Sequence, residues 1–425
     1  MIRRSLVPAV ALLACAVSAR AQGAKSAPRF EVDPMWPMPM PNRWILGSAT
    51  GVAIDSRDHI YVLNLTDSFN ARTEMGSGTN PTTGECCTPA PAVLEFDAAG
   101  KLLAHWGGAT TGDWPMASAG LAVDDAGNVW VGGAGGQDTR IYKFGKDGKL
   151  IGAFGKVGSS AGGRGGAAPA DTAYGGMSPA RGGTAAAGRG GRGGRGGPPP
   201  IPANSSGMDS FGGAMGFAFD RAANEVFVAD GSRNHRVAVI DANTGAIKRV
   251  FGAYGAKPSD AAMTYSANGA ASKQFGEVRC VKIAKDDMVY VCDPTNDRIQ
   301  VFKKDGSFVK EAKVAPNTLG LGSVWDVAFS RDPGQKYLYV ADGQNMKVHI
   351  LDRETLEELS TFGDGGRQPG QFYAVHSIAT DSKGNIYTTE TYEGKRVQKF
   401  NYKGVAAVKT PNAGTVWPSK SGARE

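Results

Sequence analysis

Arg279, Trp325 and His376 bring a fixed cation, a flat aromatic face and a proton carrier to equivalent points of a recurring pattern. Each stands two residues before the first apolar residue of a β-type run, and Thr50, Ala119 and Met215 fill the same place in three further runs. A guanidinium can take a carboxylate or phosphate through two parallel hydrogen bonds. An indole offers a stacking surface, and an imidazole gains charge near neutral pH. Arg279, Trp325, Asp326, His376 and Met215 therefore make a candidate site for a small anionic or aromatic ligand, with Ser377 beside it and Asp326 expected to hold Arg279. If catalysis occurs there, Arg279 and His376 are the candidates. An equally weighted reading has Trp325 and Met215 plug a channel and bind nothing.

The cysteines offer a second chemistry. Cys280 and Cys292 bracket VKIAKDDMVYV, two β-runs joined by Lys285-Asp286-Asp287. Centring that hairpin on Asp286 sets the two cysteines opposite each other, as a cross-strand disulfide requires. Cys86 and Cys87 either bridge as neighbours or pair elsewhere. The chain has no Cys-x-x-Cys, so the spacing argues for structural bridges over zinc or redox chemistry. It has no Gly-x-Ser-x-Gly nucleophile elbow either. His59 and His105 read as surface or blade residues, and His235 lies within the repeat itself.

Six segments position these groups. They are GVAIDSRDHIYVLN (51–64), GLAVDDAGNVWVGG (120–133), GFAFDRAANEVFVAD (216–230), CVKIAKDDMVYVCD (280–293), DVAFSRDPGQKYLYVAD (326–342) and SIATDSKGNIYTTE (377–390). Each pairs two alternating runs across a polar turn. In most a third, basic run follows, and a fourth often ends in aromatic-Gly, as in Phe251-Gly252. Alternation and turn chemistry give hairpins, four strands to a unit. Repeated four-stranded units are propeller blades, since none can bury both faces alone. The expectation is an all-β, six-bladed β-propeller, closed by pairing the stretch around Phe30–Val32 with the last blade.

VADGSRNHRVAVID (228–241), VCDPTNDRIQVF (291–302) and VADGQNMKVHILD (340–352) share an Asp-x-x-x-Asn-x-basic-aliphatic core. On these residues the chain, over roughly 45–402, resembles the NHL-repeat propellers. The bland role for Asp230, Asp293 and Asp342 is architectural, a carboxylate holding its own turn. The ring at the axis resembles that of peptidylglycine amidating lyase, whose three zinc histidines would fall on Ala119, Arg279 and His376. One of three survives, whereas catalytic zinc takes three protein ligands. The family's catalytic Tyr falls on Ser232 and one of its Arg residues on Pro294. Lyase chemistry as that family performs it is not expected, and no cofactor is. Sugar-lactonase propellers suggest another possibility, an axial divalent cation held by strand-end oxygens. Here those positions are Asn64, Asp230, Asp293, Asp342 and Glu390, with Gly132 as the gap, and calcium is the minor alternative.

The N-terminus reads as an export signal. MIRRS is basic, LVPAVALLACAV apolar, and Ala19-Arg20-Ala21 a cleavage site. Leu12-Leu13-Ala14-Cys15 loosely resembles a lipoprotein box, which would instead make Cys15 a lipid anchor. Periplasm or secretion follows, an oxidising destination that suits disulfides. No later apolar run is long enough to span a membrane. The formal charge of +7 comes from Arg3, Arg4 and Arg20 and from an insert at 158–207 rich in Arg and Gly. What remains is balanced, so the basic pI does not indicate nucleic-acid binding. The insert, with GRGGRGGRGGPPP (188–200) at its heart, is expected to be disordered. The expected organisation is a signal at 1–21, an N-terminal segment at 22–44, the propeller at 45–402 and a C-terminal tail at 403–425. Function is expected to be that of a binding or scaffold module with an unidentified small ligand or protein partner; the alternative is a lyase-like or lactonase-like enzyme at the axis, and a structural surface protein using the insert comes third.

Overall fold

A computed structural model describes residues 25–70, 73–108, 112–157, 200–261, 263–267 and 269–418. Six antiparallel four-stranded sheets succeed one another along the chain. From axis to rim, the first is Ala49–Ile54, Ile60–Asn64, Val93–Phe96 and Leu102–Trp106, and the second Ser118–Val123, Val129–Gly133, Ile141–Phe144 and Leu150–Phe154. The third is Ala214–Asp220, Glu225–Asp230, Arg236–Asp241 and Ile247–Phe251, and the fourth Cys280–Ile283, Val289–Asp293, Arg298–Phe302 and Phe308–Lys313. The fifth is Asp326–Phe329, Tyr337–Asp342, Lys347–Asp352 and Glu358–Phe362. The sixth takes Val375–Thr380, Ile386–Glu390 and Arg396–Ala407, and completes itself with Ser26–Asp33. Each inner strand contacts the inner strands on both sides, so the ring is closed. The fold is a six-bladed β-propeller.

Local chemistry explains the blades. The turn between the first two strands needs a left-handed residue; Gly127 (φ 80°) and Gly384 (φ 84°) supply it in the second and sixth blades. Where glycine is missing, Asp58, Asn224 and Asp287 take up that backbone, as short polar side chains can. The aromatic-Gly endings have a packing reason. Gly155 and Gly363 turn at φ 95° and 89°, and a Cβ there would strike Phe211 and Phe372 respectively. Blade faces then bury apolar rows against each other, as with Tyr61, Leu63, Val129 and Val131 between the first two blades.

On the face that carries the first-to-second-strand turns, polar contacts join neighbouring blades. Arg221 pairs with Asp125, Lys304 with Asp220 at 3.0 Å, and Arg353 with Asp286 at 2.7 Å. Arg331 donates to Thr380 O at 2.7 Å, and Ser382 N to Asp58 Oδ1 at 2.8 Å.

Closure joins Phe30 to Tyr402 and Val32 to Phe400, in the stretch expected. The propeller is wider than 45–402, however. Its closing strand starts at Ser26 and its last inner-to-outer run continues to Ala407. The tail then crosses the seam: Thr361 N donates to Pro411 O, Gly363 N to Gly414 O, and Val32 N to Val416 O. Those bonds satisfy edge groups that would otherwise face solvent, which is why the tail is drawn in. The insert also needs correcting at its end. Residues 200–207 run along the surface but are tied down, with Ile201 N on Gly136 O and the buried Ser205 accepting Arg236 Nη1 through its carbonyl. The rest of it, 158–199, and the expected signal with Cys15 lie outside the described residues. No helix among the described residues is long and apolar enough to cross a membrane.

Candidate functional site

The six ring positions do converge. Thr50, Ala119, Met215, Arg279, Trp325 and His376 line one small axial cavity, together with Cys280, Lys282, Asp326 and Ser377. Its volume is about 20 Å³. All six ring side chains are buried, Arg279 to 3% exposure. The Arg279 guanidinium lies 4.4 Å from the centre of the Trp325 ring, and its Nη2 is 3.1 Å from Glu277 Oε2. Trp325 donates its Nε1 to Gly322 O at 2.8 Å and meets the His376 ring edge-on at 5.7 Å. Met215 packs with Ala119 and Ala134.

Asp326 does not hold Arg279, contrary to expectation. It accepts Ser377 Oγ at 2.6 Å and Ile378 N at 3.0 Å, and it lies 3.3 Å from Lys282 Nζ. It tethers the fifth blade to the sixth, while Glu277, in the loop just before the fourth inner strand, faces the guanidinium. His376 is likewise no proton carrier near neutrality. Burial, and then the Arg279 charge, pull its pKa down to about 3.

The strand-end acids are occupied. Asp230 accepts Arg236 Nε at 2.7 Å, Asn234 Nδ2 at 2.9 Å and Gly212 N at 2.6 Å. Asp293 accepts Arg298 Nε at 2.9 Å and Asn296 Nδ2 at 2.7 Å. Glu390 takes Arg396 Nε at 2.7 Å and Gln398 Nε2 at 2.6 Å. Asp342 is met by Asn345 Nδ2 at 2.7 Å and His349 Nε2 at 2.9 Å. Each acid binds donors within its own blade, and among the described residues these four form no group able to share an ion.

One element of this scheme escaped the sequence pattern. In the second blade, Asp138 reaches back from the loop to fill the gap at Gly132, accepting Met116 N, Ala117 N and Gly135 N at 2.8, 3.1 and 2.8 Å. Its only signal was an acid five residues after a Gly-Gly strand end. In the first, Asn64 does the same for Gly47 N at 2.7 Å. Cys280 and Cys292 are directly opposed in register, with Cα atoms 4.9 Å apart, and form the expected disulfide. Cys86 and Cys87 bond to each other.

No family model matches this chain. Solved structures with a similar course include a streptogramin B lyase at 10% identity, covering 89% of this chain and 98% of that one with a TM-score of 0.45. A catalytically inactive virginiamycin B lyase from Staphylococcus aureus with quinupristin is 11% identical over 88% of this chain and 89% of its own, TM-score 0.44. A Bacteroides thetaiotaomicron protein of unknown function is 13% identical over 84% and 70%, TM-score 0.47. At such identities and scores they carry nothing about the chemistry of this chain.

Proposed function

We propose that the protein is an exported NHL-type propeller serving as a binding or scaffold module, with its axis filled by a structural plug and its partners met on its loop-bearing surfaces. The closure of the axis carries this reading. A cavity of about 20 Å³ has room for one water, whereas small-molecule pockets run to roughly 300–1,000 Å³. An incoming carboxylate would have to displace Glu277 from Arg279 and part the indole from the guanidinium. Lyase-type chemistry lacks two of its three zinc histidines, since Ala119 and Arg279 stand in their places. Lactonase-type chemistry would need Asp230, Asp293, Asp342 or Glu390 to abandon donors inside their own blades. Export is supported by the N-terminal pattern and by two disulfides, which suit an oxidising compartment.

Arg279→Ala separates a plug from a site. It leaves Glu277 buried without its cation, and breaking a buried pair in this way costs about 3–5 kcal/mol. The expected result is a clear loss of thermal stability, with no shift of the unmodified protein's Tm by small carboxylates, phosphates or aromatic acids. A saturable shift that vanishes in Arg279→Ala would overturn this reading. So would zinc-dependent cleavage of a hydroxyglycine-extended peptide.

A further inference from the structure

At the rim of the first blade, Asp55, His59 and Glu95 bring two carboxylates and an imidazole together, their nearest donor atoms all within 4.8 Å of one another. Among the described residues no other group of three such side chains does this. His59 Nδ1 and Glu95 Oε1 are 2.6 Å apart.

The other blades show what this place ordinarily holds. In the second, Asp124 occupies the position of Asp55, and its Oδ2 accepts Asn128 Nδ2 at 2.9 Å and Trp130 Nε1 at 3.1 Å, with Lys143 Nζ 3.3 Å away. In the sixth, Asp381 Oδ2 accepts Asn385 Nδ2 at 2.8 Å and the Tyr387 hydroxyl at 3.2 Å, and Lys399 is the cross-strand partner of Tyr387. Both are neutral sets: one aspartate, one amide, one aromatic donor and one lysine. In the first blade the asparagine is His59 and the lysine is Glu95, which lies directly across from Tyr61. Both exchanges turn a hydrogen-bond donor into a metal donor, and the second also replaces a positive charge with a negative one.

Tyr61 is the second sign. It is 1% exposed, and its enclosed hydroxyl has no partner of good hydrogen-bond geometry, with only the Glu95 carboxylate in reach among the described residues. A tyrosine hydroxyl is a hydrogen-bond donor. Its counterparts in the second and sixth blades spend that donor on the aspartate, but here Arg57 Nε and Nη2 occupy Asp55 Oδ2 at 3.0 and 2.7 Å. The Arg57 side chain is half exposed, so it can swing into solvent and surrender the carboxylate.

We infer that Asp55, His59 and Glu95 are a zinc-binding site, with Arg57 as the counter-charge of the empty state and the Tyr61 hydroxyl as the partner that orients Glu95 or a metal-bound water. One imidazole and two carboxylates neutralise Zn²⁺ and leave a fourth, solvent-facing position. Calcium would want six to eight oxygens and no imidazole. An outer hydrogen-bond donor of the Tyr61 kind is a regular companion of such ligands. The ion would clamp the first turn to the third strand of the blade. Asp58 of the same turn already accepts Ser382 N and Oγ from the sixth blade, at 2.8 and 2.5 Å, so the clamp would stiffen that inter-blade contact.

The test uses the tag-free full chain, stripped with chelator, dialysed and titrated calorimetrically with zinc chloride, alongside His59→Asn and Glu95→Lys. Those substitutions install the side chains that the second and sixth blades already fold around, so both variants should fold, with circular dichroism as the check. The expected result is one zinc per chain and a higher Tm with zinc. Affinity should fall in each variant by at least about tenfold, the lower end of what losing even an outer partner costs. No saturable binding by the unmodified chain, or undiminished binding by both variants, would overturn the site. Neither outcome bears on the axial plug.

Discussion

His349 is the residue whose ionisation is most strongly built into the fold. It sits where the fourth and sixth blades have Gln300 and Gln398, and its two ring nitrogens face two carboxylates. Nε2 is 2.9 Å from Asp342 Oδ2 and Nδ1 is 2.6 Å from Glu358 Oε2. Burial alone would lower its pKa, but the two carboxylates outweigh burial and raise it above 6.5. Lys25, which pairs with Glu357 and donates to Glu358 O, lies on the solvent side of the same cluster. A raised histidine contributes stability that is complete below its unfolded pKa and is lost as pH climbs through the folded one. The Tm of the unmodified protein should therefore fall between pH 6 and pH 9 more steeply than that of His349→Gln. The variant should be weaker by about 1.5–3 kcal/mol at pH 6, the scale of hydrogen bonds to charged groups, with the gap narrowing as pH rises. Parallel Tm profiles would show that the fold does not raise the pKa of this histidine.

At the scale of elements, the blades were legible because everything that makes them is local: alternation, a polar turn, and an Asp-Asn-Arg set within about seven residues. The ring was legible for the same reason, since the start of each inner strand is fixed by the repeat. What faces those residues was not. Glu277 comes from a loop, Lys282 stands on the neighbouring blade from the aspartate it meets, and Asp138 substitutes for an acid its own strand lacks. The insert shows the same limit. Its composition suggested a segment with no core to join, yet its last residues are claimed by Arg236, a side chain whose sequence role seemed complete. Arg236 Nη1 donates to Ser205 O and Gly207 O at 2.8 and 2.5 Å, and Nη2 to Ser210 O at 3.0 Å. Replacing 160–197 with a short Gly-Ser linker should leave Tm within about 2 °C. Extending the replacement through 207 removes two acceptors from a fully buried guanidinium, each loss costing about 1–3 kcal/mol, and should lower Tm clearly. Equal melting of the two variants would mean that the Arg236 clasp contributes nothing.

A ring of blades is only as stable as its seam, because an open ring leaves two blade faces in water and one sheet a strand short. Here the seam is double. The closing strand supplies hydrogen bonds, and the tail at 411–416 laces the rims of the fifth and sixth blades together outside it. One side chain connects these layers to the core. Phe30 lies on the closing strand, yet its ring meets Tyr339 at 5.5 Å and Phe362 at 5.4 Å in the fifth blade, and Tyr402 at 6.0 Å in the sixth. With Ile350, Val408 and Val416 it also walls a groove of about 480 Å³ beneath the tail. Truncating Phe30 removes the apolar contact between the sixth blade's last strand and its neighbour while leaving every backbone pair in place. Phe30→Ala should therefore cost about 3–5 kcal/mol, the range for a fully buried phenylalanine, although it stands at the edge of the sheet. The denaturant midpoint should fall with an unchanged slope, because the ring still opens in one step. A midpoint shift worth less than about 0.5 kcal/mol, the surface-substitution range, would place closure in the backbone ladder alone. A reduced slope would instead show the sixth blade detaching before the rest, and the ring would no longer be one cooperative unit.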